Sequence, residues 1–229
     1  MKKITNYGRI IKVKKNEKRF IMKKILCLAF SILALVLSAA CANKTASDSA
    51  TQKANENNNV GGTNMANQKV EISIKDYGVI QLELDPTAAP ITVENFTKLV
   101  KEGFYNGLTF HRIISGFMIQ GGDPKGDGTG GAKETIKGEF DSNGVPNPIK
   151  HVRGVISMAR SMNPDSASSQ FFIMHADAPH LDGDYAAFGH VTSGMEVVDK
   201  ICEKVKVQDR NGTVLKEDQP IIEYIKIIE

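Results

Sequence analysis

Residues 110–124 read FHRIISGFMIQGGDP and combine side chains that seldom occur together in one strand. Arg112 and Gln120 stand among large apolar residues, and a Gly-Gly pair ends the run. An arginine keeps its charge and offers five N–H donors, so it is unusual in a plain core strand. Because Arg112 is close in sequence to Phe117 and Met118, the segment predicts a binding site for a ligand that has an apolar part and a carbonyl group.

A second block, residues 154–191, reads GVISMARSMNPDSASSQFFIMHADAPHLDGDYAAFGHV. The two blocks resemble the central motifs of the cyclophilin family of peptidyl-prolyl isomerases, in the expected order. The resemblance implies a mostly β fold, a closed eight-stranded antiparallel β-barrel capped by two α-helices. It also implies an enzyme that accelerates rotation of X-Pro peptide bonds. A peptidyl-proline, with an apolar ring beside a carbonyl, suits the first block.

The resemblance assigns roles to single residues. Arg112 would act on the prolyl nitrogen or the adjacent carbonyl, and Gln120, on the same strand face as Met118, would orient its guanidinium. The apolar pocket for the proline ring would consist of Phe117, Met118, Phe172 and Leu181. Positions that bind the substrate backbone would be Ala159, Arg160 and Gln170. Rotation needs only binding and electrostatics, so no cofactor and no metal is expected.

Strict strand alternation does not support one of these assignments. Phe117 and Met118 are neighbours, and neighbours in a regular strand point to opposite faces. The family match places both in the pocket. The interruption of the strand that Ser115 and Gly116 predict supports this assignment.

The sequence departs from the better-known family pattern at three positions. Arg160 stands where many members have Asn. His180 stands where the animal proteins that bind cyclosporin tightly have Trp, and Tyr185 where they have His. A tyrosine hydroxyl can still donate a hydrogen bond at the pocket rim, so catalysis should survive. Losing the indole removes stacking area and a donor, so we expect weak cyclosporin binding.

The alternative function is a non-catalytic chaperone module that grips proline-containing peptides at the cell surface. Arg112 separates the two hypotheses, because a binding pocket for proline needs apolar walls but no guanidinium.

A further motif in the sequence is a weaker indication of function. Gly126, Gly128 and Gly131 have the spacing of a nucleotide loop but lack the surrounding βαβ unit. We expect them to form a mobile loop beside the groove.

Hydrophobic periodicity outlines one domain at residues 69–229. The segments 70–74 and 79–84 alternate apolar and polar residues across a Gly-containing turn, which predicts a hairpin. Helical spacing predicts one helix at residues 90–102, and Val198, Ile201 and Val205 indicate a second helix after the Ser193-Gly194 turn. Further strands are predicted at residues 156–159, 170–175, 187–191 and 221–228.

Residues 1–40 have the pattern of a signal peptide. Basic residues precede an uncharged, mostly apolar run at 25–37, and small residues then lead to Cys41, which resembles the lipobox of bacterial lipoproteins. Met22 is an alternative start, because it begins a compact leader of the usual kind. An uncleaved signal anchor remains the other interpretation, since the 18 uncharged residues 25–42 just suffice to span a membrane.

Residues 41–68 would then be a lipidated Cys41 and a flexible stalk, because residues 42–68 hold almost no large apolar side chain. Under both interpretations, the domain is exported and held at the outer face of a bacterial membrane, at the cell surface or in the periplasm. The expected partners are proline-containing unfolded or loop segments of exported proteins. The domain itself is expected to be monomeric.

The charge balance argues against a nucleic-acid partner. The whole chain carries a net charge of +3, but residues 41–229 hold 19 Lys or Arg against 25 Asp or Glu, a net charge of −6. The basic character therefore belongs to the leader, and no cluster of basic residues occurs in the domain.

Overall fold

A computed structural model describes residues 67–228, and the predictions for the leader, Cys41 and the stalk lie outside this range. Eight strands form one sheet, accompanied by two α-helices. In chain order the elements are β1 Gln68–Ile74, β2 Gly78–Leu84, α1 Pro90–Lys101, β3 Phe110–Ile114, β4 Met118–Gly121, β5 Val155–Met158, β6 Phe171–Met174, β7 Ala187–Ser193, α2 Met195–Lys204 and β8 Ile222–Ile228. The predicted mostly β class with two helices is confirmed. No helix within these bounds is long and apolar enough to cross a membrane.

The predicted hairpin is formed by β1 and β2, which pair antiparallel with Ile72 opposite Ile80. Val70 and Ile72 of β1 are fully buried, while Lys69 is exposed and Glu71 is only partly buried. The turn between the strands contains Asp76 at φ 65°, and Gly78, the first residue of β2, has φ 127°. Positive φ values suit an Asp or a Gly in a tight turn, which is why the Asp-Tyr-Gly sequence ends one strand and begins the next.

The strands follow the order β3-β4-β6-β5-β7-β2-β1-β8, and each neighbouring pair is antiparallel. The prediction of a closed barrel was wrong, because β3 and β8 remain the two edges of an open, curled sheet. The segments in front of these edge strands are joined by the bridge between Thr109 and Ile221 and by hydrogen bonds such as that from the Phe110 amide to the Pro220 carbonyl at 3.0 Å, but β3 and β8 do not pair as strands.

Another segment occupies the edge of β3 where a closed barrel would need β8. The Ile113 amide donates to the Gly212 carbonyl at 2.8 Å, and the Val214 amide donates to the His111 carbonyl at 3.1 Å. The loop at residues 207–214 therefore uses the hydrogen-bonding groups of β3 that a closing strand would require.

Both helices pack an apolar stripe on the sheet. Helix α1 begins at Pro90, whose fixed φ suits a first helical position, and buries Val93 and Phe96. The Phe96 ring meets Tyr105, Phe171 and Phe188 at centroid distances of 5.1, 5.6 and 5.2 Å. Helix α2 buries the side chains Val197, Val198 and Ile201. The predicted second helix is therefore present; it begins directly after Gly194, and it ends at Lys204, one residue before Val205.

The apolar side chains divide into two clusters on opposite faces of the sheet. Alternation along β6 sends Phe171 and Ile173 into the main core, whereas Phe172 belongs to the second cluster. The second cluster consists of Met118, Val155, Phe172, Met174, Ala178, Leu181 and Ala187. This smaller cluster supports the surface on which the candidate site is built.

Candidate functional site

A cleft of about 350 Å³ opens over the second apolar cluster. Its size lies within the range of small-ligand sites. Most of the residues predicted from the sequence line it, namely Arg112, Phe117, Met118, Gln120, Ala159, Arg160, Phe172, Leu181 and Tyr185. The structure thus brings these residues together, while their individual roles stay predictions.

The floor of the cleft is apolar and formed by Met118, Phe172 and Leu181, whose exposed fractions are 1 %, 5 % and 9 %. Phe117 lies one residue before β4 in a turn, where its amide donates to the Ile114 carbonyl at 2.9 Å. Gly116, at φ 79°, makes this turn possible. Because Phe117 is outside the strand, it can line the cleft together with its neighbour Met118.

Arg112 stands on β3 directly opposite Gln120 of β4. Its Nε donates to the Asn211 carbonyl at 2.8 Å, and its Nη1 donates to Gln120 Oε1 at 3.1 Å. Partial burial lowers the pKa of Arg112, and the negative charge of Asp209 opposes this shift. A guanidinium stays protonated in proteins, so the cleft contains a fixed positive charge beside an apolar floor.

The hydrogen bonds of Arg112 continue through two glutamines. Gln120 Nε2 donates to Gln170 Oε1 at 2.9 Å. Gln170 Nε2 in turn donates to the carbonyls of Gly128 and Gly130, at 3.1 and 2.7 Å. The donor and acceptor roles along this series of hydrogen bonds follow from its two ends, because a guanidinium can only donate and a carbonyl can only accept. Gln170 therefore lies beside the cleft and connects the arginine to the glycine loop.

The remaining predicted residues form the rim. Tyr185 stands edge-on to the Phe172 ring, with centroids 5.9 Å apart and planes at 83°. His180 is exposed and stacks on Phe117, with centroids 5.7 Å apart and an interplanar angle of 27°. The Ala159 amide donates to the backbone carbonyl of residue 170 at 2.9 Å.

Four residues of the cleft were missed in the sequence analysis, namely His111, Asp127, Asn211 and Thr213. A register shift between Phe110 and Arg112 interrupts the regular alternation beside His111. Burial lowers the pKa of His111, although Asp123 raises it in part. No short-range signal could have found Asn211, which lies 99 positions from the arginine that it contacts.

The glycine loop was predicted beside the groove, and Gly126 and Gly128 indeed line it. The loop is organised by the buried carboxylate of Asp123, which accepts hydrogen bonds from the amides of Lys125 at 2.8 Å and Gly128 at 2.6 Å. These backbone hydrogen bonds outweigh burial and lower the pKa of Asp123. Among residues 67–228, no group of three or more His, Cys, Asp or Glu side chains could hold a metal ion.

Comparison with known proteins supports this arrangement. The sequence model of cyclophilin type peptidyl-prolyl cis-trans isomerases (CLD) matches residues 69–228. Peptidyl-prolyl cis-trans isomerase B of Bacillus subtilis is 49% identical over 144 residues, which are 63% of this chain and 92% of the relative. A peptidyl-prolyl cis-trans isomerase of Helicobacter pylori is 53% identical over 126 residues, 54% of this chain and 74% of the relative.

A solved structure has the same fold. The crystal structure of a cyclophilin type peptidyl-prolyl cis-trans isomerase from Cryptosporidium parvum, in the presence of the dipeptide Ala-Pro, superposes with a TM-score of 0.62. It is 34% identical in sequence, and the match covers 71% of this chain and 99% of the other. The enzyme class predicted from the two sequence blocks is confirmed, and the chain belongs to the cyclophilin type peptidyl-prolyl cis-trans isomerases.

Proposed function

We propose that this cleft binds a proline residue of an extended peptide and that Arg112 accelerates rotation about the preceding bond. The observation that carries the proposal is the position of the guanidinium, held by two acceptors beside an apolar floor. An apolar ring next to a carbonyl matches this combination. A pocket that only gripped prolines would not require a fixed positive charge.

The energetic demand on the site is moderate. The barrier to rotation is ~18–20 kcal/mol, and uncatalysed X-Pro isomerisation takes tens to hundreds of seconds. Reaching milliseconds requires about 10⁴- to 10⁵-fold acceleration, or ~5.5–7 kcal/mol. The enzyme must therefore bind the twisted amide better than either planar form, and no covalent intermediate is needed.

Arg112 supplies this preference in the proposed mechanism. When the amide twists, the prolyl nitrogen loses its resonance with the carbonyl and its lone pair becomes an acceptor. A guanidinium N–H can donate to that lone pair only in the twisted state, or it can stabilise the charge on the adjacent carbonyl. The hydrogen bonds to Gln120 and Asn211 keep the donor in place before the substrate arrives.

The other cleft residues would hold the substrate. The ring would lie on Phe117, Met118, Phe172 and Leu181, and the flanking peptide would pass Ala159 and Gln170. The position of Phe172 next to the glutamine chain, in register with Gln120 across β4 and β6, supports this division between an apolar and a polar side. The substrate class would be proline-containing unfolded or loop segments.

The decisive experiment compares wild type with Arg112→Ala and Arg112→Lys in an isomerisation assay on a proline peptide. We expect kcat/KM to fall about 10²- to 10³-fold for Arg112→Ala, the usual cost of one preorganised donor. Lysine keeps the charge but loses the planar fork, so only part of the activity should return. Equal rates for wild type and Arg112→Ala, with peptide binding retained, would contradict the mechanism.

We propose further that the enzyme acts on exported proteins from a lipid anchor at Cys41. The support is the sequence of residues 1–41, with its basic flank, apolar run and small residues before the cysteine. Intact-mass analysis of the membrane-extracted protein tests this. A mature N-terminus at a lipid-modified Cys41, lost in Cys41→Ser, is expected, whereas a retained leader in the wild type would favour a signal anchor.

A further inference from the structure

The contacts of Arg160 point to a role different from the substrate contact predicted for it. We infer that Arg160 is a positioning residue that holds Tyr185 at the rim of the cleft. This inference rests on the proposed function, because it concerns the geometry of the same site.

The first contact is with the backbone in front of Tyr185. Arg160 Nε and Nη2 both donate to the Asp184 carbonyl, at 2.9 and 2.8 Å, and Nη1 donates to the Ser161 carbonyl at 2.9 Å. Three of the five guanidinium N–H groups are thereby used within the protein. The Asp184 carbonyl belongs to the peptide group that leads into Tyr185, so these bonds fix the backbone from which the ring extends.

The second contact is with the ring itself. The guanidinium carbon of Arg160 lies 4.7 Å from the centroid of the Tyr185 ring and 5.0 Å from that of Phe140. Both distances are within the range of cation–π attraction. Phe140 is 1 % exposed and belongs to the main core. Arg160 therefore connects an aromatic side chain on the rim to a residue that is fixed by core packing.

The position of Tyr185 matters for the cleft as a whole. Its ring packs edge-on against Phe172 of the floor, and it lines the same cleft as Arg112. Its hydroxyl can donate a hydrogen bond to a substrate carbonyl at the rim of this cleft. A ring held in one orientation spares the entropy of ordering it when substrate binds.

The same contacts explain why the residue should be an arginine. A lysine ammonium is a compact charge without a planar face, so it cannot bind one carbonyl through two N–H groups while stacking on aromatic rings. We therefore expect Arg160→Lys to resemble Arg160→Ala in catalysis, although it keeps the charge.

The test is a double-mutant cycle on isomerisation of a proline peptide, with Arg160→Ala, Tyr185→Phe and both changes together. We expect kcat/KM to fall about 5-fold for Arg160→Ala, equivalent to ~1 kcal/mol at 1.36 kcal/mol per decade. Arg160→Lys should lose nearly as much. In the Tyr185→Phe background, Arg160→Ala should cost less than about 2-fold, because the hydroxyl that it positions is gone. Arg153→Ala is the matched control, since Arg153 also donates to a carbonyl, that of residue 175 at 2.8 Å, outside the cleft.

A spectroscopic readout complements the cycle and does not depend on turnover. Tyr185 ring resonances, observed with fluorine- or carbon-labelled tyrosine, should broaden or shift in Arg160→Ala and Arg160→Lys and stay unchanged in Arg153→Ala. Fully additive losses in the cycle would assign Arg160 to direct substrate contact and overturn the inference. So would full activity of Arg160→Lys, or ring resonances that no variant alters. An inactive wild type would refute the proposed function, while the resonances would still test the positioning of the ring.

Discussion

At the rim of the cleft, His180 is the residue whose replacement we expect to change the affinity for cyclic peptides without changing catalysis. It is exposed at the rim and stacks on Phe117. An imidazole covers less of a phenyl face than an indole does, and it presents its N–H at a different place. Cyclic peptides that rely on this rim should therefore bind weakly, while the floor and Arg112 remain intact.

Replacing His180 by Trp should strengthen cyclosporin binding. The larger ring adds stacking area on Phe117 and an indole donor, and we expect the dissociation constant to fall at least tenfold, or ~1.4 kcal/mol. Isothermal titration calorimetry on wild type and His180→Trp measures the difference. A nanomolar dissociation constant for the wild type would contradict this expectation.

Residue by residue, the sequence predicted the parts of the site that lie within short motifs. The contact between Arg112 and Gln120 follows from a hairpin whose two strands are contained in one block of fifteen residues. The contact between Arg112 and Asn211 could not be predicted, because no pattern relates a loop residue to a strand 99 positions away. The position of Arg160 in the second motif predicted that it belongs to the site. Its hydrogen bonds to the Asp184 carbonyl could be identified only from the structure.

At the level of elements, the loop at residues 207–214 has two functions. It covers the free edge of β3 through the amide of Ile113, and it brings the Asn211 carbonyl to Arg112. Its closest approach to the strand occurs at Gly212, which has φ 80°. A β-carbon at that position would lie 2.3 Å from the Ile113 carbonyl oxygen, so only glycine fits.

The variant Gly212→Ala should therefore reduce both stability and activity. We expect about 2–4 kcal/mol of destabilisation from the left-handed backbone and the clash together. Because the loop must move away from β3, Arg112 would lose its Asn211 acceptor and kcat/KM should also fall. Urea unfolding and an isomerisation assay on the same samples measure the two effects.

Gly144→Ala is the control for Gly212→Ala. Gly144 has nearly the same φ, 75°, but a β-carbon there would meet no atom within 4 Å. It should lose only the ~1–2 kcal/mol that a left-handed alanine costs, and its activity should be unchanged. If the two variants were equally stable and equally active, the loop would not depend on close contact at Gly212.

The same loop explains why closure of the sheet could not be predicted from the sequence. Alternating and helical periodicity identified the hairpin of β1 and β2 and both helices, because each pattern reflects local burial. Whether the sheet closes depends on which segment occupies the β3 edge. The groups that decide this are the backbone amide of Ile113 and the backbone carbonyl of Gly212. The pattern of side chains in the sequence does not reveal which backbone groups pair.

For the whole molecule, two buried histidines connect stability to pH. His151 is almost fully buried, with its ring nitrogens 3.1 Å from Asp182 Oδ1 and 3.0 Å from Ser157 Oγ. Burial lowers its pKa, although the bond to Asp182 raises it in part. Burial lowers the pKa of His111 as well. Both side chains therefore bind a proton less readily in the folded than in the unfolded chain.

This difference predicts how the free energy of unfolding changes with pH. Above the unfolded pKa of about 6.5 both states are neutral at these sites, and stability should be constant. As the pH falls below that value, the unfolded chain takes up protons first and stability should drop, by up to ~1.36 kcal/mol per pH unit for each histidine. The lowered pKa of Asp182 acts in the same direction only near and below the ordinary value of 3.8.

Urea unfolding between pH 5.0 and 7.5 tests this prediction on wild type and on the double variant His111→Gln, His151→Gln. Glutamine does not titrate, so the variant should lose most of the slope below pH 6.5, whatever its stability at neutral pH. His190→Gln is the matched control, because it removes an exposed histidine in place of a buried one. A wild type whose stability is flat from pH 6.5 to 5.0 would contradict the prediction, and so would a double variant that keeps the full slope.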